Sequence, residues 1–453
     1  MKMIFNVEDK PKFGQLLVFA FQQLLAIMAA TIAVPMIIGN GMEPAAALFG
    51  AGVGTLVYVL FTKMKSPVFL GSSFAFLGSM FAAFAGAASA QAGFAGILFG
   101  AVFAGLVYVV IAIIVKIAGV EWVDKLMPKQ VIGPTVAIIG LSLAGNAVGD
   151  LQSGDVKIIV DEALQTTGSA AHPLVCVLVG LVTLLVVTLC SVYGKKMAKL
   201  IPFIIGIVAG YCLAAVFTLI GNAAGIDALK VVDFSIFKEM KIFSVPSFTF
   251  IKAFQGMREI DGAYVASIAV AYIPVAFVVF AEHIADHKNI SSIIGRDLLK
   301  EPGLHRTLLG DGVGSIAGAF FGGCPNTTYG ESVACVAISR NASVVTIIAT
   351  AVMAILISFV GPFVIFLDSI PACVMGGVCM SLYGFIAVSG LKMVKDVDLD
   401  DNRNLFVVSV ILIAGIGGLA LNFGAVTLTS IATALILGII FNIVLGKKKD
   451  AKA

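Results

Sequence analysis

Fourteen apolar stretches of 15 to 28 residues recur along this chain. They run over 14–38, 43–62, 67–86, 91–118, 130–149, 173–193, 200–221, 262–286, 305–322, 324–338, 343–367, 371–391, 404–422 and 424–446. Stretches near 20 residues match the apolar thickness of a bilayer crossed by a helix, and they are about twice what a barrel strand needs. With 60% hydrophobic and only 12% charged residues, and a mean hydropathy of +1.07, the chain carries about half the charge of an ordinary soluble protein. The fold class is therefore an all-α polytopic membrane protein with fourteen transmembrane segments.

The basic residues orient it. If the N-terminus is cytoplasmic, 23 of the 29 Lys and Arg fall on the cytoplasmic side. The other six lie in two long outer loops, 150–172 and 222–261, and the short outer loops have none. This pattern obeys the positive-inside rule and puts both termini in the cytoplasm, with Lys447-Lys448-Lys449 on that side. The first apolar stretch is too long for a cleaved signal peptide. A net charge of +3 gives no reason to expect a nucleic-acid partner. The seven cysteines show no CxxC or Cys/His metal spacing and read as apolar packing residues.

Two stretches are irregular. Residues 324–338 open with Cys324-Pro325-Asn326-Thr327-Thr328-Tyr329-Gly330-Glu331, too polar for an ordinary span. Pro325 blocks a helix, the next residues suit extended backbone, and an apolar run follows Glu331. The pattern predicts a short strand and then a half-helix starting inside the bilayer. Irregular backbone persists there only where protein buries it or it lines a cavity. The third stretch, around Ser72-Ser73-Phe74-Ala75, aligns with Thr327-Thr328-Tyr329-Gly330 at an offset of 255. Ala29-Ala30-Thr31-Ile32-Ala33 aligns with Ala281-Glu282-His283-Ile284-Ala285 at 252, and Met127–Gly133 with Ile370–Gly376 at 243. Three matches in one order mark a repeat of seven spans. Seven is odd, so the halves enter the membrane from opposite sides, as a 7+7 inverted repeat with spans 3 and 10 broken.

Few ionisable residues fall inside the spans. Glu331 heads the half-helix, and a carboxylate at such a break is a binding-site candidate. Glu282 aligns with Ala30, deep in span 1, and Asp286 follows one turn later on the same face. Asp311, among glycines, reads as a structural hydrogen-bonding residue. His283 and His287 read as ordinary interfacial histidines, and Tyr383 as aromatic packing. The first-turn N–H groups of the half-helices, near Phe74 and Gly330, have no intrahelical acceptor. Carboxylates opposed by two sets of N–H donors suit a small, flat, neutral ligand bearing both N–H and C=O groups. They do not suit an anion, and no oxygen cage for a metal is present. No cofactor is expected. A carboxylate removed from water holds a proton near neutral pH, so the proton is the simplest coupling ion.

The runs Ala281-Glu282-His283-Ile284, Asp297–Arg306 and Pro325–Glu331 resemble the nucleobase–ascorbate transporter family, most closely its bacterial uracil permeases. Gly71–Phe76 and Val374–Val378 match it too. The resemblance implies a core domain from spans 1–4 and 8–11 (14–118 and 262–367) and a gate domain from spans 5–7 and 12–14 (128–221 and 371–446). It implies proton-coupled uracil uptake across the bacterial cytoplasmic membrane by alternating access, not an enzyme, and homodimers joined through gate domains. By motif match Glu282 and Glu331 bind the base, N–H groups at Phe74 and Gly330 meet its carbonyls, and Ala30, Tyr329 and Tyr383 line the pocket. Glu282 and Asp286 are the proton-coupling candidates. The chain departs from the family pattern at Gln23, Asp286, Ser332, Ala334 and Ser339. Glu at 331 favours a pyrimidine, since purine-carrying relatives have Gln there. The alternatives are a xanthine or other purine permease on this fold, or an anion transporter of the related sulfate-transporter fold.

Overall fold

The computed structural model describes residues 3–446 apart from 120, 121, 123–127, 161, 162, 168, 169, 196, 424 and 425. Met127 of the third repeat match and the Lys447-Lys448-Lys449 tail lie outside the described residues. Helical elements occupy all fourteen apolar stretches, and among the described residues eight helical runs are long and apolar enough to cross a membrane on their own. The helices of the first half are α1 (Phe13–Ile38), α2 (Pro44–Phe61), α3 (Leu77–Ala85), α4 (Ala90–Ala118), α5 (Lys129–Ser142), α6 (Ala144–Leu151), α7 (Pro173–Tyr193) and α8 (Pro202–Ala224). After α9 (Thr249–Gly256) follow α10 (Gly262–Ile294), α11 (Leu304–Gly322), α12 (Gly330–Ser339), α13 (Val344–Ile357), α14 (Gly361–Asp368), α15 (Ala372–Val394), α16 (Asn402–Ile416) and α17 (Ser430–Gly446).

Local chemistry sets the helix starts. Pro44, Pro173 and Pro202 stand in the first turn, where a missing N–H costs nothing. Ser89 accepts from Ala92 N–H at 3.1 Å and Asp261 from Tyr264 N–H at 2.7 Å, each satisfying an N-terminal donor. α7 is among the most apolar helices yet among the least buried, with Leu178, Leu185 and Leu189 exposed. A helix apolar all round and exposed on one side is one that faces lipid.

The helices pack in two groups. α2 lies along α11, and α4 along α10 and α11; α5 and α7 lie along α15, and α16 along α17. Glycines bring α2 and α11 together: a Cβ on Gly54 would stand 2.7 Å from the Gly314 carbonyl oxygen. Gly323, at φ 76°, ends α11 in the left-handed region and turns the chain into Cys324-Pro325.

Both broken stretches form the expected strand and half-helix. Strand β1 (Leu70–Ser72) pairs antiparallel with β4 (Asn326–Thr328) in the register Leu70 to Thr328, Gly71 to Thr327 and Ser72 to Asn326. Ser73 N–H donates to Pro325 O at 2.9 Å and Tyr329 N–H to Phe69 O at 3.2 Å, so each strand satisfies the other's backbone inside the packed helices. Two further hairpins were not anticipated from sequence. β2 (Val156–Val160) pairs with β3 (Ala163–Thr167) in the 150–172 loop, and β5 (Leu421–Phe423) with β6 (Val426–Leu428). The latter shortens the last two apolar stretches: α16 stops at Ile416 beside Gly417 and Gly418, and α17 begins at Ser430. An apolar run cannot by itself distinguish strand from helix.

Candidate functional site

A cavity of about 500 Å³ lies between the two groups of helices. Its polar wall comes from the two broken stretches and α10. Glu282 and Asp286 project into it from α10, and Glu331 from the first turn of α12. α10 continues to Ile294, so Glu282 stands about 18 Å short of its end rather than beside it. Ser73, Phe74 and Thr327 to Gly330 complete the polar side. Phe203, Leu382 and Phe385, from α8 and α15, form the apolar side.

Side-chain bonds fix the polar wall. Thr328 Oγ1 donates to Asp286 Oδ2 at 2.8 Å, tying α10 to β4. Tyr329 OH donates to Ser72 O at 2.7 Å and locks the second broken stretch onto the first. Ser332 Oγ accepts from Phe69 N–H at 3.0 Å and from Gln23 Nε2 at 2.6 Å, anchoring the residue next to Glu331 to α1. Two of the departures from the family pattern, Gln23 and Ser332, therefore bond each other. Sequence reasoning singled out both residues but had no signal for their contact, because they are 309 positions apart.

Glu282, Asp286, Glu331, Phe74, Tyr329 and Gly330 share this one wall. A Cβ at Gly330 would meet nothing within 4 Å, so its backbone faces open space. Ala30 does not reach the cavity: it is 1% exposed, in a buried cluster with Phe69 and Tyr329, and Ala26, one turn earlier, stands on the wall instead. Tyr383 is 3% exposed and stands behind the wall, edge-on to Phe74 with ring centroids 6.3 Å apart. Asp311, His283 and His287 are buried inside the protein, outside the cavity lining. The apolar wall residues carried no signal, being unmarked members of apolar helices.

A second cavity of about 310 Å³ lies at the far end of α1, beside Glu43, Asp150, Asp155 and Asp368. Ser247 N–H donates to the Glu43 carboxylate. Burial pushes the Glu43 carboxyl up from its ordinary range, and that bond and the Lys252 charge pull it partly back. At the opposite end the large cavity adjoins a third, sharing Ala285 and Met393 with it, where Lys129 pairs with Asp396 at 2.8 Å. That exposed pair holds Asp396 below the ordinary carboxylate range. No group of acidic, His and Cys side chains among the described residues is arranged to hold a metal ion.

What this wall offers chemically is three carboxylates, two strand-to-helix breaks rich in backbone donors, and an apolar slab opposite. A permease-family model matches residues 14–424. The chain is 38% identical over 453 residues to a uracil permease of Bacillus caldolyticus, covering 99% of this chain and 96% of that protein. It is 36% identical over 456 residues to a uracil permease of Bacillus subtilis (strain 168), covering 100% and 97%. In fold it is similar to the transmembrane domain of a cyanobacterial bicarbonate transporter, with a TM-score of 0.65 at 16% identity, covering 97% of this chain and all of that one.

Proposed function

The chain belongs to the nucleobase–ascorbate transporter family of permeases, and from that premise we propose that it is a proton-coupled symporter importing uracil by alternating access. It is a multi-pass membrane transporter and not an enzyme. The observation that carries the substrate assignment is the meeting of Glu282 and Glu331 with both broken helix starts on one wall. Uracil has two ring N–H groups and two carbonyls. Glu282 and Glu331 accept the N–H groups, and backbone N–H groups at Phe74 and Gly330 donate to the carbonyls. Phe203, Leu382 and Phe385 cover the apolar ring faces. An anion would be repelled by three carboxylates, and the bicarbonate transporter's likeness concerns fold alone.

The coupling proton resides among Glu282, Asp286 and Glu331. Three carboxylates sharing one water-poor cavity do not all stay ionised when it closes, so one takes a proton for the transit. In this proposal the fourteen segments form a 7+7 inverted repeat, and the antiparallel pairing of β1 with β4 supports the equivalence of spans 3 and 10. Residues 14–118 and 262–367 make the core domain, and 128–221 with 371–446 the gate, which also joins two copies. Both termini face the cytoplasm of a bacterial cell membrane, so the large cavity opens inward past Lys129 and Lys288.

The test is radiolabelled uracil uptake in permease-deficient cells, with and without a protonophore and with excess unlabelled xanthine. Uptake lost to the protonophore and untouched by xanthine is expected. Full competition by xanthine would shift the assignment to a purine, and protonophore-insensitive accumulation would remove the proton.

A further inference from the structure

Behind the substrate wall, on α10, α11, α4 and α2, lies a second polar cluster that the proposed transport mechanism does not use. Its hydrogen positions can be assigned one by one. Thr307 Oγ1 donates to Leu304 O at 3.0 Å, so it accepts from His283 Nε2–H at 2.9 Å. His283 Nδ1 then faces Asp311 Oδ2 at 2.6 Å. With Nε2 carrying a hydrogen, one further proton lies between ring and carboxyl, whichever of them holds it. His287 is fixed the other way. Its Nδ1–H donates to His283 O at 2.8 Å, leaving Nε2 to accept from Tyr58 OH at 2.7 Å, whose oxygen accepts from Ser66 Oγ at 2.7 Å. The two imidazoles stack with centroids 4.0 Å apart.

Two atoms of this cluster are unsatisfied by protein. Asp311 Oδ1 and Tyr108 OH are buried and no protein group bonds them. Both residues line a small cavity of about 10 Å³, whose walls also include Asn326 and Thr327 of β4. A cavity of this size holds about one water, and buried waters need two to four polar partners. β4 is thus approached from both sides. Thr328 is held by Asp286 on the substrate side, Asn326 lines the small cavity on the other, and Thr327 lines both.

We propose that this cavity is a binding site for one ordered water, which accepts from Tyr108 OH and donates to Asp311 Oδ1. Through it Tyr108 and the proton-sharing Asp311–His283 pair act as positioning residues for β4, and hence for Glu331 at the start of α12. The pair, the water and β4 pin α10 to α11 and α4 from the rear, while the front face of α10 presents Glu282. Besides its own Tyr58, Tyr108 and His287, the ionisable groups whose charge reaches this cluster are Glu282 and Asp286 on α10.

The positioning role rests on the uracil reading, whereas the water and the proton placement do not, and the tests separate them. A map of the full chain fine enough to show waters is expected to place density between Tyr108 OH and Asp311 Oδ1, and to lose it in Tyr108→Phe. A dry cavity in the parent overturns the site. Nitrogen-15 NMR on histidine-labelled protein is expected to find Nδ1 protonated and Nε2 bare on His287, and Nε2 protonated on His283. The reverse on either ring overturns the network. For positioning, uracil Kd is read by equilibrium binding to purified protein. Tyr108→Phe removes one hydrogen bond and should raise Kd about threefold to tenfold. Asp311→Asn can donate to His283 Nδ1 and still accept from the water, and should stay within about threefold, whereas Asp311→Leu can do neither and should exceed about tenfold. Parental Kd in both Tyr108→Phe and Asp311→Leu refutes the positioning role while leaving the water site to the map. Failure of the parent to bind uracil overturns the function instead.

Discussion

Gly330→Ala separates folding from binding at a single atom. Gly330 is the first residue of α12, with Tyr329 in extended backbone before it, and its φ lies outside the left-handed region. Alanine fits that backbone, and replacing glycine where the conformation is compatible stabilises by about 0.4–1 kcal/mol through the unfolded chain. The new methyl meets no protein atom within 4 Å, so nothing in the fold opposes it. The space it takes is on the wall of the large cavity, beside Glu331 and opposite Phe203 and Leu382. The backbone N–H stays in place as a donor, but a base lying against it must now shift. Overpacking a close contact costs about 1–3 kcal/mol, or about fivefold to 150-fold in Kd. The expected signature is opposed: a melting temperature equal to or above the parent's, and uracil binding weakened by that factor. Equilibrium binding and a thermal melt on the same detergent-purified sample measure both. Parental affinity in a well-folded Gly330→Ala protein would refute the claim that the base sits against this backbone.

Glu282→Gln mimics a carboxyl that cannot release its proton; in proteoliposomes it should abolish gradient-driven uracil accumulation while counterflow exchange persists, and full accumulation would move the proton elsewhere. Gln23→Ala and Ser332→Ala each remove one side of the 2.6 Å bond, so a double-mutant cycle on uracil Kd should give a coupling of about 1 kcal/mol, and additive losses would dismiss the link. Burial raises the Glu43 carboxyl in the folded protein, so the folded state holds that proton more tightly than the unfolded chain does. The residue therefore favours folding most at acid pH, and that contribution is lost as pH rises from the ordinary carboxylate range through the raised folded value. The melting temperature of Glu43→Gln relative to the parent should accordingly climb as pH rises above the ordinary carboxylate range, and a flat difference would contradict it.

The apolar stretches alone determined a helical membrane protein and the position of nearly every helix, because backbone in lipid must bond within its own segment. Pro325, the threonines and Glu331 determined where the second broken stretch lies, since proline and extended-backbone residues act within a few positions of themselves. The carboxylates were legible for the same reason: an ionisable residue inside an apolar run is rare enough to mark a site without any knowledge of its neighbours. Tertiary structure decided what those residues touch. Ala26 rather than Ala30 reaches the cavity because packing between helices distant in sequence selects one turn over the next, and an alanine-rich helix does not record that choice. Tyr383 stands behind Phe74 for a like reason. Gln23 and Ser332 are 309 positions apart, and the proton network joins His283 to Asp311 across 28 positions and His287 to Tyr58 across 229. Hydrogen bonds act over about 3 Å, so such partners are chosen only when helices distant in sequence come to lie side by side.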